Sequence, residues 1–282
     1  MASSVGNYHT HTRHCDGRGE ARDFAEAALR KGMPRLGFSG HNVLPFDTDW
    51  TMPAERLPSY LNDVREVRES YKGRLEVYLG MEADFIPGLT SPAHERIRGL
   101  GLDYVVGSVH FLGPERGDHQ WTVDGPKTEL EEAIRDGFGG DVRRLVERYY
   151  ALLAEMAATA PPDIFAHFDV VKKNNAGSFF FREDEPWYRA AVRRALDAVR
   201  SSAGVLEINT GGIVRSTSGE FYPSPWVLAE AWAMDIPVMI NADAHDAEHI
   251  DGKFIEAAEV LRDAGYKSTR QLTAAGWMDV GL

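Results

Sequence analysis

Short apolar runs alternate with longer amphipathic segments along this chain, and the alternation predicts a β/α architecture. Seven runs are rich in β-branched or aromatic residues: Val5–Thr10, Arg35–Ser39, Leu75–Met81, Tyr104–Val109, Ile164–Phe168, Val205–Ile208 and Ile236–Ala242. Most are bounded by turn or polar residues, as buried strands are. Between them, Arg56–Tyr71 places Leu57, Tyr60, Leu61, Val64, Val67 and Tyr71 at helical spacing. Ala21–Lys31, Asp141–Ala158, Pro186–Ser201, Pro225–Met234 and Gly252–Ala264 read the same way. Seven strand–helix units in succession predict parallel strands joined by right-handed crossovers. A closed barrel of seven or eight units, as one domain over residues 1–282, suits the length better than two domains; a doubly wound open sheet is the alternative. The segment Gly113 to Gly140 has few apolar residues and several Gly and Asp. Its first part is expected to be a long active-site loop after the fourth strand, and its second part to run into the next helix.

The polar residues fall where such a barrel places its sites. His9 and His11 end the first strand, His41 follows the second, and Glu82 and Asp84 follow the third. His110 ends the fourth, His167 and Asp169 flank the end of the fifth, Glu207 and Asn209 end the sixth, and Asp243 and His245 follow the seventh. In a parallel barrel these C-terminal ends share one rim. Residues i and i+2 of a strand point to the same side, so His9 and His11 can chelate one ion. Imidazole with carboxylate suits zinc, manganese, iron and related cations. A lone H-x-H pair is weak evidence, because a strand-end histidine is more often a hydrogen-bonded structural residue. Six of the ten histidines converging with several carboxylates is different, since satisfying that many buried ionisable groups separately is costly. With Asp16, the set His9, His11, Asp16, His41, Glu82, His110, His167, Asp243 and His245 exceeds what one ion uses. Two or three divalent ions sharing carboxylates would activate water and clamp phosphoryl oxygens.

Composition narrows the class. The chain has 282 residues, 43% hydrophobic and 26% charged, which is ordinary for a globular protein. No apolar run approaches the roughly 20 residues that span a bilayer, and the start MASSVGNYHTHT lacks a secretory pattern. A single cysteine, Cys15, excludes an internal disulfide framework. These features point to a cytoplasmic protein without a membrane role. The formal net charge of -12 argues against broad nucleic-acid binding through a basic surface. A small phosphate ester stays compatible, because bound cations reverse the local potential. No G-x-x-x-x-G-K-[ST] loop is present, so nucleoside-triphosphate hydrolysis by that route is unsupported.

Eight segments carry a family resemblance: YHTHTRHCDG at 8–17, GFSGHN at 37–42, GMEADF at 80–85, GSVHF at 107–111, FAHFD at 165–169, LEINTGG at 206–212, FYPSP at 221–225 and NADAH at 241–245. The chain resembles the polymerase and histidinol phosphatase (PHP) family. H-x-H-T alone marks only the superfamily, whereas SVHF, EINTGG, YPSP and DAH together favour its monofunctional histidinol-phosphatase branch. The resemblance implies a distorted (β/α)7 TIM-like barrel holding three metal ions. His9, His11, Glu82 and Asp243 would hold the first, Glu82, His110 and His167 the second, and Asp16, His41 and His245 the third. It also implies hydrolysis of L-histidinol phosphate, in histidine biosynthesis, by a hydroxide bridging two ions. A nucleotide or another small phosphate ester is the alternative substrate. The family often has Asp before the second-motif histidine; here Gly40 stands there, which leaves the orientation of His41 to another group.

Further residues have expected roles. Arg215, in GGIVRS after the sixth strand, is the candidate phosphate clamp, ahead of Lys172 and Lys173. Asp243 is a candidate proton donor to the leaving alkoxide. Glu207 and Asn209 match no metal position of the family and are expected either to contact substrate or to support ligands. Glu115, Asp118 and Asp124 are candidate partners for the ammonium and imidazole of histidinol. His14, His94, His119 and His249 read as surface residues, His119 least strongly. Cys15 reads as a packing residue rather than a nucleophile.

Overall fold

The computed structural model describes residues 5–113, 119–215 and 219–282. Six parallel strands lie side by side in chain order: β1 (Arg35–Phe38), β2 (Glu76–Asp84), β3 (Tyr104–Ser108), β4 (Ile164–Phe165), β5 (Val205–Asn209) and β6 (Val238–Asn241). Residues 5–12 run between the two edges of this sheet. Asn7 bridges Leu36 of β1 and Thr10 bridges Ala244 beyond β6, both parallel. Gly37 N–H donates to Asn7 O at 2.7 Å, and His11 N–H to Ala244 O at 2.9 Å. The sheet therefore closes into a seven-membered ring, and the open doubly wound alternative is excluded. The first member is irregular for a physical reason. The buried Asn7 side chain occupies ladder positions, its Oδ1 accepting from His9 N–H at 3.2 Å and Ala242 N–H at 3.0 Å.

Inside the ring, Tyr8, Tyr104, Val106, Ile164, Ala166, Val205, Met239 and Leu272 form one buried cluster. Tyr104 Oη donates to Tyr8 O at 2.6 Å. Its ring fits because β1 and β2 present Gly37 and Gly80 to it, and a Cβ at either would collide with it. Outside, helices cover the sheet. The helix Val142–Thr159 starts at Asp141, whose Oδ1 accepts from Arg144 N–H at 3.3 Å. It buries Leu145, Tyr149, Leu152, Leu153 and Met156, which recur every three or four residues. The helix Phe254–Ala264 stops at Gly265, whose φ of 113° is a conformation only glycine enters freely.

Two features depart from the expected strand–helix alternation. Between β2 and β3 only Glu95–Arg98 is α-helical, so that crossover lacks a full helix. After the last helix, β7 (Ser268–Thr273) and β8 (Gly276–Gly281) form an antiparallel hairpin that the apolar-run pattern does not reveal. Gln271 Oε1 accepts from Gly6 N–H at 3.0 Å and from Arg35 Nη1 at 2.9 Å, and Tyr8 Oη donates to Leu272 O at 2.5 Å. The hairpin thus covers the N-terminal end of the ring. The expected long segment runs through residues 119–126 without regular structure into a helix at Lys127–Glu132. No described helix is long and apolar enough to cross a membrane.

Candidate metal centre

The opposite end of the ring brings together all nine predicted ligands. Glu82 lies at their centre, buried. Its Oε2 is 3.1 Å from His9 Nε2, 3.4 Å from His11 Nε2 and 3.1 Å from His41 Nδ1. Its Oε1 is 3.1 Å from His167 Nε2 and 3.6 Å from His110 Nε2. Asp243 Oδ1 is 3.1 Å from His11 Nε2 and 3.5 Å from His9 Nε2. Asp16 Oδ2 is 2.9 Å from His245 Nε2, and its Oδ1 is 3.7 Å from both His11 Nδ1 and His41 Nε2. Donor atoms within 4.8 Å of one another fall into sets that include His9–His11–Asp243, Glu82–His110–His167 and His11–Asp16–His41–His245.

These donors fit divalent cations. His9 Nε2, His11 Nε2, His41 Nδ1, Glu82 Oε2 and Asp16 Oδ1 are buried without a hydrogen-bond partner, a costly state that an ion relieves. His110 Nε2 and His167 Nε2 face each other at 3.2 Å, where two lone pairs can share one cation. Burial lowers His11 to about 4 and His41 to about 3, reinforced by the neighbouring imidazoles. Both are therefore neutral, ligand-competent imidazoles at pH 7. Burial opposes ionisation of Glu82 and Asp243. His9 and His41 nevertheless hold Glu82 well below the usual carboxylate range, and Arg215 and His9 do the same for Asp243.

A second layer holds the ligands. Asp84 Oδ1 lies 2.9 Å from His110 Nδ1, and although burial lowers that imidazole, Asp84 outweighs it and pushes it up to about 10. The sequence offered a signal for Asp84: it follows Glu82 at i+2 on a strand. Of the two roles expected for Glu207, the structure shows ligand support, with Oε1 2.7 Å from His9 Nδ1. Asn209 donates to Glu207 Oε2 at 2.9 Å and to Asp243 Oδ2 at 3.3 Å. His41 is flanked by Glu82 and by Trp50, whose ring lies edge-on at 4.6 Å. No sequence signal marks Trp50. Gly40 N–H donates to Tyr60 Oη at 3.2 Å, and a Cβ there would press on Met52, Cys15 and Tyr60 at 3.3 to 3.4 Å. An aspartate at 40 would have to displace that packing.

The centre opens into a cavity of about 710 Å³ whose walls include Trp50, Asp124, Lys173, Asn209, Arg215 and Tyr222. Arg215 Nη2 donates to Asp243 Oδ2 at 2.6 Å. Lys172, a candidate clamp, is corrected: it is buried against Asp169 at 3.4 Å and Glu220 at 3.1 Å, and bonded to Ser224. Lys173 is the one of the pair that lines the cavity. Asp124 lines it too, whereas Glu115 and Asp118 lie outside the described residues. His14 is not on the surface. It is buried with Nε2 2.8 Å from Asp63 Oδ2, because the first loop folds back onto the helix Leu57–Ser70. His119 and His249 are exposed, and His94 Nδ1 accepts from Arg96 N–H at 3.3 Å to cap a short helix. Burial and the neighbouring Asp16 push the Cys15 thiol up to about 12, so it is no thiolate nucleophile.

A parallel β/α ring with this His/Asp/Glu rim defines a metal-binding barrel protein. Residues 7–211 match the model of the PHP domain, and the chain belongs to the PHP family. It is 36% identical over 261 residues to a "Probable histidinol-phosphatase" of Deinococcus radiodurans, covering 91% of this chain and 92% of the relative. It is 27% identical to a histidinol-phosphatase of Bacillus subtilis, covering 85% and 92%. Its fold is similar to the crystal structure of histidinol phosphate phosphatase from Lactococcus lactis complexed with zinc, L-histidinol and phosphate, with a TM-score of 0.74, 18% identity, and 98% and 99% of the two chains covered.

Proposed function

We propose that this protein is a histidinol-phosphatase, a phosphoric monoester hydrolase converting L-histidinol phosphate to L-histidinol and phosphate in one domain over residues 1–282. The observation that carries the reading is the Glu82-centred cluster with Arg215 at its edge, in a chain 36% identical over 91% of its length to a relative of that name. A small-molecule substrate rather than nucleic acid accords with the net charge of -12, and a cytoplasmic location with the single cysteine.

His9, His11, Glu82 and Asp243, then Glu82, His110 and His167, then Asp16, His41 and His245 would hold two or three ions such as zinc, which supply Lewis acidity at phosphorus and make water acidic. Arg215 reaches over Asp243 and has further N–H groups to offer phosphoryl oxygens. Lys173 also lines the cavity, where its ammonium lies 3.5 Å from the Asp124 carboxylate. Asp243 is ionised at neutral pH. It takes the proton of the attacking water as the new P–O bond forms, then gives it to the alkoxide oxygen as the old P–O bond breaks. Asp124, beside Lys173 on the cavity wall, is the proposed partner of the substrate ammonium.

The test is phosphate release by zinc-loaded protein across histidinol phosphate, nucleoside monophosphates and other small monoesters. Highest kcat/KM on histidinol phosphate is expected. A preference for a nucleotide would transfer the assignment to the alternative substrate class, and a fully metallated protein inactive on every monoester would end the reading.

A further inference from the structure

Glu207 lies behind the ligands, yet it reaches three of their positions. Its carboxylate is buried and accepts four N–H groups. Oε1 accepts from His9 Nδ1 at 2.7 Å and from Asn241 Nδ2 at 3.0 Å. Oε2 accepts from the backbone N–H of His167 at 2.8 Å and from Asn209 Nδ2 at 2.9 Å. Asn209 in turn donates to Asp243 Oδ2 at 3.3 Å. An ionised carboxylate only accepts, so His9 presents an N–H at Nδ1 and leaves Nε2, which faces Glu82 and Asp243, as the atom that would bind an ion. His167 and Asp243 both have positive φ, 23° and 51°. Non-glycine residues occupy such backbone only when their surroundings hold them there. For His167, the N–H bond to Glu207 is such a hold.

We infer that Glu207 is a positioning residue that sets the His9–His11–Asp243 and Glu82–His110–His167 sets jointly, and leaves the Asp16–His41–His245 set to form without it. The inference rests on the reading that these nine residues hold metal. Glu207→Gln isolates the effect, because an amide has one acceptor oxygen and one NH2 group. Turned one way, the NH2 faces His9 Nδ1 and Asn241 Nδ2. His9 then shifts its proton to Nε2 and loses the lone pair that would face the ion. Turned the other way, the NH2 faces the His167 N–H and Asn209, and the positive-φ backbone at His167 is released. Either orientation damages at least one set.

Wild-type protein and Glu207→Gln are stripped with a chelator, titrated with zinc, and counted for bound zinc after gel filtration. Zinc binding at the affected sets is expected to weaken on the order of 10- to 100-fold, with at least one ion fewer retained per chain. Far-UV circular dichroism of the chelator-treated protein should be unchanged, which it would not be for a merely unfolded variant, and excess zinc should restore kcat. Glu207→Asp, which keeps the charge but withdraws it from His9, gives the same readout if the glutamine variant fails to fold. A folded variant with wild-type zinc affinity and stoichiometry would overturn the role of Glu207 alone. Wild-type protein that binds no zinc would overturn both this role and the reading of the site.

Discussion

Arg215 Nη2 donates to Asp243 Oδ2 at 2.6 Å while the other oxygen of the same carboxylate lies 3.1 Å from His11 Nε2. One aspartate therefore ties the cation of the cavity wall to the ligand cluster. Replacing Arg215 by Met removes both a phosphoryl donor and the partner of Asp243. A drop of about 10²- to 10³-fold in kcat/KM for histidinol phosphate is expected, the scale for losing one oxyanion donor. Arg215→Lys should recover only part of it, because an ammonium lacks the planar fork. Steady-state kinetics at matched metal content decides; a loss under threefold for the Met variant would rule out the clamp.

Asp84 holds His110 from behind at 2.9 Å. Asp84→Asn keeps the shape but forfeits the charge that orients the imidazole. Zinc affinity should fall about 10- to 100-fold, read by competition with a chromophoric chelator. Unchanged affinity would show that His110 is oriented without Asp84.

Metal removal should leave a protein whose stability peaks near pH 6.5. Below the usual imidazole value of 6.5, the unfolded chain takes up protons that folded His11 and His41 refuse until about pH 4 and 3. Stability therefore rises with pH across that window. The depressed carboxyls of Glu82 and Asp243 act with the same sign at the acid end, their contribution being lost as pH falls. Above 6.5, folded His110 keeps its proton to about pH 10 after the unfolded chain has released it, so stability falls as pH rises. Urea midpoints of chelator-treated protein at pH 5, 6.5 and 8.5 check this. A midpoint that climbs steadily to pH 8.5 contradicts it.

Gly80 faces the Tyr104 ring inside the barrel. Gly80→Ala forces a methyl into that ring, an overpacking that costs about 1 to 3 kcal/mol. The urea midpoint should fall correspondingly, with the m-value unchanged. An unaltered midpoint would mean that the barrel interior has slack that the close approach of Tyr104 does not suggest.

Much of this protein was legible in one dimension. A strand's two-residue period and the rule that parallel barrels gather their C-terminal ends were enough to bring eight of the nine ligands, spread from His9 to His245, onto one rim, and the family resemblance added Asp16 and set the others apart from their polar neighbours. The strand signals are local: every ligand but Asp16 sits at or just after its own apolar run. The hairpin Ser268–Gly281 escaped because its apolar residues form no continuous run, and its strand character comes from pairing with itself and capping Tyr8. Lys172 and Lys173 are neighbours of identical chemistry, so no pattern could say that one enters a buried ionic network and the other the cavity.

What the sequence determined by itself was the set of chemical groups and the order in which strands deliver them. Tertiary structure alone decided what each of those groups touches. Glu82 and Glu207 both lie on strands that lead to the rim, and strand position does not separate them; in the sequence only the family resemblance did. Only the closed ring turns Glu82 toward five imidazoles and surrounds Glu207 with four N–H donors. A carboxylate's role follows from whether its neighbours present lone pairs, which call for a cation, or protons, which already satisfy it.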